Sequence, residues 1–416
     1  MSAHTALDDW IAREARPFTL DSEDNINLAV DRMVAMLGEE VELLGFGEAL
    51  HGGEEILRLR NRLFQRLVEA HGFCAIAVES SFTRGRLLDD YVNGRGPAAY
   101  EEGISHGFGQ VEANRELVEW MRAYNADPAR AVQLRFYGFD APTEAHYTSS
   151  PREILTFVLD YLEAGAGLRE RIEELLGPDA DWENPAAMMD PTKSVGLSPN
   201  AAALRIEAED LITELRVRRG ELVVVSGADR YAEALRFANL ARQLLNYHAN
   251  VGSTTNPARL DRMLGIRDVI AGDNLMYILE RERSRGKVLA FAHNAHLQRG
   301  KVIFPWYSFW PAGALLDGML GPRYAVIGSG VGVSEANGIG EPEAGSLEAR
   351  LPGPASFIPT HRGQGLAAQE IAGLTTRTGS TRNMSYIPFR PESFADFDGL
   401  AFIQSASYTR GAAALP

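Results

Sequence analysis

The chain has 416 residues, enough for one large or two ordinary domains with a sizeable core. Apolar residues make up 45% and charged residues 23%, a globular balance that excludes wholesale disorder and fibrous repeats. A formal net charge of −15 argues against nucleic acid or an anionic membrane surface as partner, and the single cysteine, Cys74, excludes a disulfide framework and a cysteine-based zinc site.

The N-terminal segment carries acidic residues and no apolar run, and no stretch reaches the length of a membrane span. These features predict a cytoplasmic protein with no membrane or nucleic-acid partner. Cys74 lies inside the apolar run FCAIAV, where an inert buried thiol is expected.

In chain order, the first apolar run is VELLGFGE (41–48), nearly continuous rather than alternating, as buried parallel strands are. A helical pattern over 54–70 leads to a second run, FCAIAVES (73–80), and a further helix over 114–125 to a third, LRFYGFDA (134–141). Strand, helix, strand in succession predicts an α/β fold, a mostly parallel β-sheet flanked by helices. Residues from about 145 to 285 read as a mainly helical insertion between strands, so that 1–416 is expected to form a single α/β domain. Within the insertion, ELVVVSG (221–227) fits a strand by its valines and a helix by its neighbours; we read it as helix. KVLAFAHNAH (287–296) resumes the sheet, and RYAVIGSG (323–330), SFIPT (356–360) and GLAFIQSAS (399–407) are further strand candidates. The stretches 177–200 and 332–354 are loop-like, and WYSFW (306–310) suits core packing or a pocket wall, with packing the ordinary use.

Each of the first three runs, and the one resuming at 287, ends in an ionisable group: Glu48, Glu79, Asp140 and His293. Ligands of open α/β sheets bind outside the carboxyl ends of the strands. Polar residues also simply mark where strands leave a core, but four such ends together favour a site. Taking Ile56 as reference, helical geometry places Arg60 with Leu63, Phe64 and Leu67 in an apolar stripe about 100° wide. A buried guanidinium needs partners, which predicts pairing with Glu48 and Glu79; the alternative is a stem that snorkels to water. His51 sits in a Gly-rich turn, and His293 and His296 lie three apart, adding a general base and donors for an oxyanion. No dinucleotide fingerprint, nucleophile elbow, Walker A or H-E-x-x-H motif is present.

GEALHGGEEILRLRNRLFQRLVEAHGFCAIAVES resembles the opening G-E-x-x-H-G motif of the erythromycin esterase family and the helix and strand that follow it. FAHNAH is similar to its H-N-x-H strand, GQVEANRELVEWMRAYN to its W-x-R-x-x-N helix, RFYGFDA to its G-x-D strand and RDVIAGDNLMYIL to its R-D-x-x-A-x-N-L helix. The resemblance runs from about residue 40 to 330, and more loosely through DFDGLAFI. It departs from the commoner motif at Leu50 and Gly53, where threonine, or threonine or serine, is frequent.

The resemblance implies a hydrolase of macrolide lactone esters that works without a metal or other cofactor, in antibiotic resistance or biosynthesis. It implies His51 as the base for water, Glu48 and Glu79 as its carboxylate partners, Arg60 and His293 as further catalytic groups, and His296, Asp140 and Arg267 as supporting or substrate-binding residues. The same histidines and carboxylates leave open a metal-dependent hydrolase, although Arg60 would repel the ion, and a binding protein that sequesters a polyketide ligand unchanged.

Overall fold

A computed structural model describes residues 5–144, 146–363, 366 and 368–413. Among them run ten strands: β1 (Arg16–Phe18), β2 (Leu43–Glu48), β3 (Phe73–Ser81), β4 (Arg135–Asp140), β5 (Lys287–His293), β6 (Val302–Phe304), β7 (Tyr307–Phe309), β8 (Tyr324–Val333), β9 (Ala355–Pro359) and β10 (Gly399–Ser405). Eight of these form one sheet in the order β1-β9-β10-β8-β2-β5-β3-β4, and β6 and β7 form a separate hairpin. From β10 across to β4 neighbours pair in parallel; only β9 against β10 and β1 against β9 are antiparallel.

The two sheet faces differ in side-chain size, and period-2 alternation accounts for it. Leu44, Phe46, Ile76, Val78, Leu289 and Phe291 point into one core, shared with Leu63 and Phe64 of the Glu54–Ala70 helix and Leu117 of the Glu112–Ala126 helix. Ala75, Ala77, Ala290 and Ala292 point into the other. Small residues there let the long Arg259–Glu282 helix pack close, through Leu275 among others, and the Ala228–Val251 helix packs on that helix in turn. None of the helices among the described residues is long and apolar enough to cross a membrane.

All seven apolar runs form strands, and Arg219–Ser226 is helical, with Val224 and Val225 exposed on its surface. The short strands β1, β6 and β7 have no periodic signal in the sequence. Both uses expected for 306–310 occur: Phe309 is buried in a small apolar cluster with Tyr307 against it, the two rings also line a cavity, and Trp306 is 70% exposed.

The parallel strands deliver their ends to one edge. Glu48 and His293 are direct partners in the β2–β5 register, Glu79 falls where the β3–β4 register slips between Val78 and Ser81, and Asp140 closes β4. Such slips re-aim a side chain at a strand end.

Candidate active site

The turn after β2 is built on two glycines. Gly52 has φ +95° and faces the Tyr408 ring so closely that a Cβ would lie 2.8 Å from it. Gly47 leaves room for Asn294, whose side-chain oxygen would lie 2.3 Å from an added Cβ. Asn294 uses that space to bridge to β8, donating to the Ser329 carbonyl at 2.8 Å and accepting its N–H at 3.0 Å. The turn therefore holds Ala49 to His51 rigidly over the strand ends.

His51 Nδ1 lies 2.7 Å from Glu48 Oε1. Glu48 is buried, and the His51 side chain retains 31% of its accessibility on the wall of a cavity of about 640 Å³. A carboxylate on Nδ1 fixes the proton there and leaves Nε2 as the basic nitrogen. Burial alone would depress the imidazole; the hydrogen bond and charge of Glu48, with the charge of Glu79, outweigh it and hold His51 above the usual histidine value.

His293 is different. Its Nε2 lies 2.8 Å from the Ser385 carbonyl and 3.2 Å from that of Ala49, and Nδ1 accepts the Ala295 N–H at 3.1 Å. Both ring nitrogens are thus engaged by backbone, and burial, aided by the charge of His51, pushes its pKa down to about 3. His293 therefore has no ring N–H left over for a substrate, where the sequence left it to hold either the oxyanion or the carboxylate network. The His293 backbone N–H donates to Glu79 Oε2 at 2.7 Å.

Glu79 is the hub of the remaining network. Arg267 Nη2 donates to its Oε1 at 2.8 Å, and Arg267 Nε donates to Asp140 Oδ1 at 2.9 Å. His296 Nε2 stands 3.4 Å from Glu79, and its Nδ1 is 3.0 Å from Asp268. Burial raises both carboxyls, but the charges of Arg267 and, at Glu79, of His296 and His51 dominate. Asp140 is held at about 2 and Glu79 well below the carboxylate range. Burial opposes the charge on His296, yet Asp268 and Glu79 bring it up to about 8.

Arg60 is buried, 1% exposed, as its place on the helix required. Its partners are not the expected Glu48 and Glu79. Nη1 donates to Asn114 Oδ1 at 2.7 Å, Nη2 to Asn61 Oδ1 at 2.7 Å and the Ala113 carbonyl at 3.3 Å, and the guanidinium lies 4.8 Å from the Phe291 ring centroid. Burial lowers its pKa to about 10, and the charge of Glu48, with smaller contributions from Glu116 and Glu54, offsets that only in part. The arginine that pairs with carboxylates is Arg267.

Four further site residues were not singled out from the sequence, although Asp268 is the acidic residue of the R-D motif quoted for the resemblance. Ser385 Oγ accepts the His51 N–H at 2.9 Å and donates to Asn383 Oδ1 at 2.6 Å, while Asn383 Nδ2 donates to the His51 carbonyl at 2.7 Å. Asp268 is fully buried beside His296. His106 stands 3.6 Å from Asp140 on the cavity wall with φ +62°, a conformation that non-glycine residues hold mainly at functional sites. Aromatic rings of Phe108, Phe291, Phe304, Tyr307 and Phe309 line the rest. No group of three or more metal-ligand side chains in a binding arrangement occurs among the described residues.

A histidine–carboxylate pair and an ionic network thus sit at the carboxyl edge of a mostly parallel α/β sheet, on the wall of a cavity lined by aromatic rings. Residues 68–406 match the sequence profile of the erythromycin esterase family, and the chain belongs to that family. The matched span holds Glu79, Asp140, Arg267, His293 and His296; Glu48, His51 and Arg60 precede it. The chain is 23% identical to erythromycin esterase type II of Escherichia coli, over 77% of its length and 76% of the relative's. It is 24% identical to erythromycin esterase type I of the same organism, over 64% of each. The fold is shared with a Bacillus cereus protein (TM-score 0.76, 20% identity, 98% of each chain) and with a mutant of the erythromycin esterase EreC in its open conformation (TM-score 0.68, 18% identity, 95% and 98%). A succinoglycan biosynthesis protein also shares it (TM-score 0.72, 19% identity, 98% and 99%).

Proposed function

We propose that this chain hydrolyses a carboxylic ester of the macrolactone kind, with His51 as the base that activates water. The observation that carries the reading is the 2.7 Å contact of His51 Nδ1 with Glu48, which leaves Nε2 free at an aromatic cavity large enough for a small-molecule ligand. Family membership supports a hydrolase, and the names of the relatives support a macrolide ester as substrate.

Nε2 takes a proton from water as the oxygen adds to the ester carbonyl, and the carbonyl π pair moves onto oxygen. Collapse of that oxyanion breaks the bond to the alkoxy oxygen, which leaves with the electron pair and collects the proton from His51. Glu48 holds the imidazole in the working tautomer and stabilises the imidazolium formed in between. Glu79 adds negative charge near His51 and, through the His293 N–H, ties β3 to β5. No step in this sequence calls for a metal or a cofactor.

Incubating the protein with erythromycin and weighing the product tests the reading. A product 18 Da heavier, with the ring opened, supports hydrolysis; a ligand that binds and is recovered unchanged contradicts it.

A further inference from the structure

The proposed hydrolysis needs a group to receive the developing oxyanion, and the two residues expected to supply it are otherwise engaged. His293 gives its only ring N–H to the Ser385 and Ala49 carbonyls, and Arg60 is held by the amide oxygens of Asn61 and Asn114. Arg267 is arranged differently. Nε faces Asp140, Nη2 is shared between Asp140 and Glu79, and Nη1 makes no hydrogen bond to a described residue. The side chain keeps 18% of its accessibility and lines the cavity beside Glu79 and His296. With Nε and Nη2 fixed on carboxylates 2% and 8% exposed, Nη1 is the guanidinium nitrogen that no carboxylate holds.

We infer that the two N–H groups on Arg267 Nη1 form an oxyanion-binding position, which receives the carbonyl oxygen during water attack and the carboxylate of the product afterwards. This rests on the ester-hydrolase reading for its catalytic half and on geometry alone for its anion-binding half. Asp140 and Glu79 aim the donors before substrate arrives, so no reorganisation is required when charge develops. They also keep the guanidinium charged. Burial alone would work against the charge, and the two carboxylates override it. When His51 takes the proton from water, its new positive charge offsets that of the oxyanion, so the acidic surroundings do not forbid an anion there.

Two measurements test the assignment. In the first, crystals of the wild-type protein are soaked with butyrate, a small carboxylate that requires no turnover. A carboxylate oxygen within hydrogen-bond distance of Arg267 Nη1 is expected; butyrate at Arg60, or nowhere in the cavity, overturns the assignment whether or not the protein is an esterase. In the second, Arg267→Lys, which keeps the charge facing Asp140, and Arg267→Ala are assayed on erythromycin beside wild type. For Arg267→Lys the expected kcat loss is on the order of 10²–10³-fold with KM changed only a few-fold, as removal of an oxyanion donor gives elsewhere. Added guanidinium should restore at least about tenfold of the Arg267→Ala rate, which a merely structural role would not allow. Folded variants with wild-type kcat overturn the catalytic half. Wild-type protein without activity is instead the failure of the ester-hydrolase reading, and the butyrate result then stands by itself.

Discussion

His51 Nδ1 and Glu48 Oε1, three positions apart in the chain, lie 2.7 Å from one another, and this contact leaves Nε2 as the basic ring nitrogen. Their strand-end neighbour His293 is in direct register with Glu48, yet has both its nitrogens on backbone groups. Two histidines with ring centroids 5.3 Å apart thus take opposite roles, one titratable and one locked neutral.

The first consequence concerns pH. A base must be deprotonated to accept the water proton, and His51 is held above the usual histidine value. The acid limb of kcat/KM should therefore lie above pH 6.5, with activity rising as pH increases through it. Glu48→Gln removes the charge that favours the imidazolium. Its limb should move to lower pH while the plateau falls by about 10-fold or more. A pH–rate profile of the two proteins checks both shifts; an unmoved limb contradicts the role given to Glu48.

Stability should depend on pH through the neutral histidines. His293 has a folded pKa of about 3 and His248 one of about 4, both depressed chiefly by burial. Below pH 6.5 the unfolded chain takes protons that these folded side chains refuse. Stability is full above that pH and is lost as pH falls toward 3. Thermal unfolding between pH 7.5 and 4 should show the fall, and His248→Gln, remote from the catalytic turn, should flatten it.

Arg60 contributes to the architecture of the cavity wall more directly than to proton transfer. Arg60→Met leaves the Asn61 and Asn114 side-chain oxygens without their Arg60 donor, while the Ala113 carbonyl keeps the Asn61 Nδ2 donor at 2.8 Å; the cost is about 1–3 kcal/mol for each buried acceptor that finds no other partner. The variant should lose several degrees of Tm along with activity. His51→Ala, on an accessible wall, should change Tm little.

Ser385 encloses the catalytic turn: its hydroxyl accepts the His51 N–H, and its carbonyl faces His293 Nε2. Ser385→Ala keeps the second bond and removes the first. We expect kcat/KM to fall about tenfold, equivalent to ~1.4 kcal/mol, with the His51 limb in the pH profile retained.

How far the sequence revealed this site follows from the kind of signal each residue carries. Glu48, Glu79, Asp140 and His293 were legible because buried parallel strands are continuous apolar runs, and a charged residue ending one is conspicuous. Arg60 was legible as buried from helical periodicity. Its partners were not, since Asn114 is one polar residue among many on its own helix. Ser385 and Asn383 lie over 330 positions from His51 in an aperiodic loop, and only the folded chain brings them together. Asp268 follows Arg267 on a helix whose amphipathic pattern is weak, so only the R-D motif of the family resemblance, and not periodicity, pointed to it.

Chelation addresses the metal-dependent alternative. The Arg267 guanidinium lies between Asp140 and Glu79, where it would repel a divalent ion. Activity after dialysis against EDTA should equal that of untreated protein. Loss that is restored by added zinc would support metal catalysis.

The central claim is that His51 is the base, and its removal is the most direct test. Purified His51→Ala should show a Tm close to that of wild type and a kcat/KM for erythromycin reduced by about 10²–10⁴-fold, with no 18 Da product at times when wild type is complete. A folded His51→Ala protein that opens the ring at the wild-type rate would contradict the account.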